Sequence, residues 1–192
     1  MKIKHPPGAP NLSPEARDAL LKTSRDAVRA AVHNTDYVLP DGLPAETRSA
    51  SGVFVSLHLA EDLRGCIGVT HSRKPLAESV AHCARAAALE DPRFPPVSAE
   101  ELPAVLIEIS VLGEFRILGP EERPRPGIDG VCIDQGERQG LLLPQVALRH
   151  KWSAEQLLSE VCRKANLPGD AWTTGARVSV FQAQIFSGRE AT

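Results

Sequence analysis

The sequence predicts an α+β fold in which helices flank a mostly antiparallel sheet. Three observations lead there. Strand-like runs come in adjacent pairs joined by tight turns, so they read as hairpins and not as crossover units. Helical stretches are interleaved with these pairs without the strict strand–helix alternation of a doubly wound sheet. The 16 prolines and 14 glycines among 192 residues punctuate the chain into short elements.

In chain order, MKIKHPPGAPNLS has two lysines but no apolar segment, so residues 1–12 read as a flexible tail and not a secretory signal. Ser13 caps a first helix, with Pro14 at its opening position and Glu15 at its positive end. Ala16, Leu20, Thr23, Ala27 and Ala31 share one face, and the helix runs to near Asn34. SGVFVSLHL (51–59) alternates as a strand. A turn near Ala60-Glu61-Asp62 leads into DLRGCIGV, completing a hairpin. PLAESVAHCARAAALE (75–90) is a second helix with a stripe of Leu76, Val80, Cys83, Ala84 and Ala87, ended by Asp91-Pro92.

AVLIEISVLGEFRIL (104–118) is a long strand run, bent at Gly113. GPEERPRPGIDG is a charged, turn-rich connection that borders a smaller lobe of about 119–150. GVCID and GLLLP form a second hairpin, and residues 144–150 a short helix. Ser153 and Gln156 make a capping box for the last helix, and ARVSVFQAQIF (176–186) closes the sheet as one strand. Residues 13–187 thus read as a single domain, with 188–192 as a second tail.

Composition narrows the function. Hydrophobic residues are 42 % of the chain and the net charge is −2, from 22 basic and 24 acidic residues. A nucleic-acid protein would carry a basic excess, so that role is unlikely on charge. No run approaches the roughly 18 apolar residues of a membrane span, and the expected location is the cytoplasm. Cys66, Cys83, Cys132 and Cys162 include no CxxC pair, so zinc-finger and thioredoxin readings have no support. No histidine has a metal-ligand partner at a telling spacing, and neither a metal nor another cofactor is expected.

The chemistry concentrates in LRGCIGV (63–69). Strand alternation sends Leu63, Gly65, Ile67 and Val69 to the core and puts Arg64 and Cys66 on the opposite face. A neighbouring guanidinium favours thiolate over thiol, and flanking glycines allow close approach. The same residues also fit a packing role, because cysteine is a common small core residue and glycine marks bulges. A turn centred on Asp62 would set His58 opposite Cys66 as its base; a one-residue slip would separate them. His82 points off the stripe of its helix. In DPRFPPV (91–97), Asp91 and Arg93 either clamp a ligand or pair with each other. Gln145, just after Pro144, offers an amide to a ligand or to the backbone.

LRGCIG, DPRFPPV, GLLLPQVA, KWSAEQLLSEVCRKANLP and SVFQAQIF, in that order, closely resemble the AMMECR1 domain family from about Ser13 to Ser187. LRGCIG at 63–68 is the family hallmark, so Arg64 and Cys66 inherit its functional interest. Asp91 and Arg93 fall in the second strong motif, and Pro144 and Gln145 in the third. Two departures stand out. Lys164-Ala165-Asn166-Leu167 replaces a Lys-Ala-Gly-Leu stretch, an exchange that suits a left-handed backbone. Pro126-Gly127-Ile128-Asp129-Gly130 replaces a Gly-Arg-Asp-Gly-like sequence, which removes a basic residue there.

The resemblance implies a two-lobed fold with a cleft, and no settled reaction. It also implies the A component of a three-part system (AmmeMemoRadiSam system protein A) beside a Memo-like protein and a radical SAM enzyme. The chain lacks the CxxxCxxC motif of the radical enzyme itself. Two functions follow as expectations. One is a small-molecule or modification enzyme. In it Cys66 and Arg64 work in the cleft, His58, His82 or Asp91 moves protons, and Arg93 and Gln145 bind substrate. The other is a non-catalytic substrate- or partner-binding module of the multi-component system.

Overall fold

The computed structural model describes residue 8 and residues 10–188. The expected tails at 1–12 and 188–192 therefore lie largely outside the described residues. The elements are α1 (Pro14–Val32), β1 (Val53–Leu59), β2 (Asp62–Val69), α2 (Leu76–Leu89), β3 (Val105–Leu112), β4 (Arg116–Ile117), β5 (Gly130–Gln135), β6 (Arg138–Leu142), α3 (Pro144–His150), α4 (Ala154–Lys164), β7 (Arg177–Phe181) and β8 (Ala183–Gly188). Their strand pairings with recorded register are all antiparallel, and the class is α+β. No helix among the described residues is long and apolar enough to cross a membrane.

Two compact units divide the chain. The first comprises Asn11–Val111 and the strand from Ile185 onward. Its sheet has the order β2-β1-β3-β8, which leaves β2 at an edge. Val53, Val55 and Leu57 of β1 and Val105, Ile107, Ile109 and Val111 of β3 share a core with Leu20, Ala27 and Val28 of α1 and Val80, Cys83, Ala84 and Ala87 of α2. Alternation therefore puts the even-numbered residues of β1, Ser56 and His58 among them, on the other face of the sheet. Ser13 caps α1 through a hydrogen bond from the Ala16 amide, with Pro14 at the first position.

The second unit, Leu112–Gln184, contains the expected 119–150 stretch and extends past it on both sides. Its sheet has the order β4-β7-β5-β6. The apolar stripe of α4, Leu157, Leu158, Val161 and Cys162, closes a separate core with Val131, Ile133, Val178 and Val180. The capping box at Ser153 and Gln156 forms as the sequence predicts. Asn166, φ 55°, sits in the left-handed region just past α4, where the Leu167 amide returns to the Cys162 carbonyl.

Two expected strands turn out to be strand pairs. The 104–118 run leaves the first sheet at Leu112 and enters the second at Arg116. The 176–186 run leaves the second at Phe181 and enters the first at Ala183. At these crossings the Gly113 amide donates to the Gln182 carbonyl at 2.7 Å. A methyl at Gly113 would meet main-chain oxygens of Gly8 and Gln182, so only glycine fits the bend. Hydropathy is continuous across both breaks, which is why periodicity alone reads each as one strand.

Candidate functional site

Both strong motifs of the first unit meet at the free edge of its sheet. Cys66 lies opposite Ser56 on β1. Its main-chain N–H and C=O have no strand to pair with on the outer side, and DPRF supplies their partners. The Cys66 amide donates to Asp91 Oδ2 at 2.8 Å, and Arg93 Nη2 donates to the Cys66 carbonyl at 3.3 Å. Asp91 and Arg93 also pair with each other. Arg93 Nε and its own amide donate to Oδ1, at 2.9 and 3.1 Å, and Nη2 donates to Oδ2 at 2.6 Å. One carboxylate thus accepts four hydrogen bonds while almost fully buried.

The electrostatics follow. The Arg93 guanidinium, against the cost of burial and with help from the Cys66 amide, pulls Asp91 down to a pKa of about 2. Asp91 is saturated and ionised, and is unsuited to moving protons. Its hydrogen bonds hold the Cys66 backbone and Arg93 in place. Arg93 is held in the charged state first by its bond to Asp91, then by Asp91 and Cys66 through space and by a contact with the Cys66 side chain. Its side chain is still 55 % exposed, and the guanidinium lies over the ring of Phe94 at 5.4 Å.

Arg64 goes elsewhere. β2 carries a bulge: Leu57 faces Gly65 while His58 faces Leu63, so Arg64 is the extra residue. A bulge re-aims the side chain it carries. The side chain is 13 % exposed, and all three guanidinium nitrogens are bonded. Nε and Nη2 donate to the two oxygens of Glu101 at 2.8 and 3.1 Å, Nη1 to the Pro95 carbonyl at 2.7 Å and Nη2 to the Pro96 carbonyl at 3.0 Å. Arg64, with the Ser98 amide, lowers the pKa of Glu101. The expected Arg64–Cys66 pair is replaced by Arg93–Cys66, and Arg64 ties down the loop that carries Arg93.

Removing that tie has a measurable cost. Arg64→Ala is expected to destabilise the fold by about 3 kcal/mol, with a coupling of about 1–2 kcal/mol to Glu101→Gln. Urea denaturation of the two single variants and the double variant checks this.

The turn separates His58 from Cys66. The turn spans Ala60 and Glu61 and is not centred on Asp62, so His58 faces Leu63 and Leu106 and is buried. In its place Ser56 donates its hydroxyl to Cys66 Sγ at 3.1 Å. His82 stands on the exposed face of α2, turned away from the sheet, and lines a cavity with Asp36, Tyr37 and Arg85. Gln145 occupies the first turn of α3 in the second unit, half-buried.

The glycines have structural work. A methyl on Gly65 would strike the Ala87 carbonyl of α2, and one on Gly68 would strike the Phe54 ring. The space beside them belongs to protein and is not open to a ligand. Cys66 is the one half-buried cysteine of the four; the others are buried. Burial, followed by Cys66, pushes the Cys83 thiol up to about 11, and burial raises Cys132 and Cys162. Among the described residues no three His, Cys, Asp or Glu side chains gather as a metal site requires.

Ser56 and Glu101 escape sequence reasoning. Ser56 needed the correct hairpin register, and Glu101 is one carboxylate among many until the fold brings it to Arg64. What the site offers chemically is a partly accessible thiol with a hydroxyl donor on one side and an anchored, half-exposed guanidinium on the other.

Comparison with known proteins agrees with the motif reading. The AMMECR1 family model matches residues 21–186. A protein of Methanothermobacter thermautotrophicus is 42 % identical over 185 residues, covering 91 % of this chain and 96 % of its own. One from Thermofilum pendens is 42 % identical over 195 residues, covering 91 % of each. The crystal structure of uncharacterized protein PH0010 from Pyrococcus horikoshii superposes with a TM-score of 0.87 at 36 % identity, covering 92 % of this chain and 93 % of that one.

Proposed function

The chain belongs to the AMMECR1 family, and from that premise we propose that it is a small-molecule or modification enzyme whose working group is the Cys66 thiol. The observation that carries this reading is a half-buried thiol that accepts from the Ser56 hydroxyl at 3.1 Å while the half-exposed Arg93 side chain is bonded to the Cys66 carbonyl at 3.3 Å. A half-buried cysteine sulfur beside two such donors is placed to act as a nucleophile. Arg93, fixed by Asp91, also leaves part of its donor fork free for an anionic group of the substrate. Among the described residues His58 and His82 lie elsewhere and Asp91 is saturated, so in this reading the thiol proton leaves to solvent. Arg64 acts at one remove, by holding the loop.

Alkylation tests this directly. Native protein treated with iodoacetamide across pH 6–10 is expected to react at Cys66 well before Cys83, Cys132 and Cys162. Arg93→Met is expected to slow Cys66 about threefold to tenfold near neutral pH, and Arg93→Lys to restore part of the rate. If Cys66 reacts no faster than the buried three, the thiol reading falls. A folded Cys66→Ser protein with full activity in its pathway would make the residue structural.

A second reading is favoured by the dispersal of proton-moving groups: His58 faces another strand residue, His82 is on the far side of α2, and Asp91 is saturated. In that reading the same edge holds an anionic substrate, without turnover, for Memo-like and radical SAM partners. Equal retention of the same metabolite by wild type and Cys66→Ser, lost in Arg93→Met, would favour it.

A further inference from the structure

We propose that the hollow between α1 and α2 is a second binding site, for a small zwitterion of the amino-acid class with an apolar side chain. The cavity holds about 250 Å³ and belongs wholly to the first unit. Its floor is Ala27, Ala30 and Ala31 of α1 with Ala81 of α2. Small side chains at facing positions leave apolar space that larger ones would fill.

Opposite charges stand across this floor. Asp36 comes from the segment after α1, and Arg85 supplies the other pole, with the His82 ring, three positions before it and so on the same side of α2, as a further hydrogen-bonding group. Neither Asp36 nor His82 has a hydrogen-bond or ion-pair partner among the described residues. Arg85 has only a long contact to Glu90, at 3.8 Å between side chains that are both 59 % exposed, which holds it weakly. The two poles face one cavity without neutralising each other. An ammonium at Asp36 and a carboxylate at Arg85 and His82 would satisfy both at once, with the ligand's side chain on the alanines.

The acidic pole is anchored. Asn34 takes a left-handed backbone, φ 53°, and the Thr35 amide and hydroxyl both return to the Ala30 carbonyl, at 2.8 and 3.3 Å. The chain is thereby turned back over the end of α1, and the Tyr37 ring forms a wall. Such anchoring lowers the ordering cost of binding. Cys66 lies on the opposite face of the sheet from these helices, so this site stands independently of the thiol chemistry. It also gives His82 a place.

The test is titration of the whole protein with L-leucine, followed by amide chemical shifts or calorimetry. Saturable binding is expected, weakened at least tenfold in Asp36→Asn, in Arg85→Ala and in Ala81→Leu, which plugs the floor. Isoamylamine and 4-methylpentanoate each present one pole and should bind at least tenfold more weakly than L-leucine. Asp36→Asn and Arg85→Ala alter exposed positions and Ala81→Leu a half-buried one, and circular dichroism checks that all three fold. Absence of saturable binding up to about 10 mM, which corresponds to interactions too weak for a site, overturns the proposal. So does binding that Asp36→Asn and Arg85→Ala leave unchanged.

Discussion

Asp91→Asn is expected to lower stability by about 3 kcal/mol at neutral pH and to flatten the acid limb of the stability profile. The buried carboxylate accepts from the Cys66 amide and three times from Arg93. An asparagine keeps the shape but turns one acceptor into a donor facing a guanidinium, which leaves charged donors unpaired. The pH arm has a definite sign. The folded pKa is about 2 against an ordinary 3.8, so the folded state binds fewer protons than the unfolded state between those values. The stabilisation is complete above about pH 4 and fades as pH falls through 2, an amplitude of about 2 kcal/mol. Urea denaturation at steps from pH 5 to pH 2 should show this slope in the wild type and its loss in the variant. An identical slope in both would remove Asp91 from its place at the sheet edge.

Gly65→Ala is the second large effect. The added methyl meets a main-chain oxygen, that of Ala87, and a helix carbonyl cannot swing aside as a side chain can. Either α2 lifts from β2 or the edge strand shifts, and overpacking of this kind costs about 3 kcal/mol. Gly68→Ala meets only the Phe54 ring, which is half-buried and free to rotate outward, and should cost about 1 kcal/mol. The ordering of the two variants, read from urea midpoints, is the discriminating result. A milder Gly65→Ala would mean that α2 sits further from the hallmark strand than the structure places it.

The two variants also separate roles inside one hexapeptide. In LRGCIG, Gly65 and Gly68 serve packing, Arg64 braces the loop that follows α2, and Cys66 carries a half-buried thiol. A motif that reads as a single string divides into packing and bracing positions around that thiol, with a second guanidinium arriving from DPRF.

Much of this protein was legible from its residues in order. The capping signals at Ser13, Ser153 and Gln156, the apolar stripes of α1, α2 and α4 and the two hairpins depend on neighbours within a turn or across a tight loop. Local periodicity reports such neighbours faithfully. Tertiary structure decided the direction of side chains at the site. The bulge that turns Arg64 away from Cys66 is stabilised by carbonyls 31 and 32 residues later and a carboxylate 37 residues later. Where the strands exchange sheets, at Gly113 and Gln182, a hydrogen bond joins chain segments nearly seventy residues apart. Energies that come from contacts so distant along the chain leave no periodic trace in it.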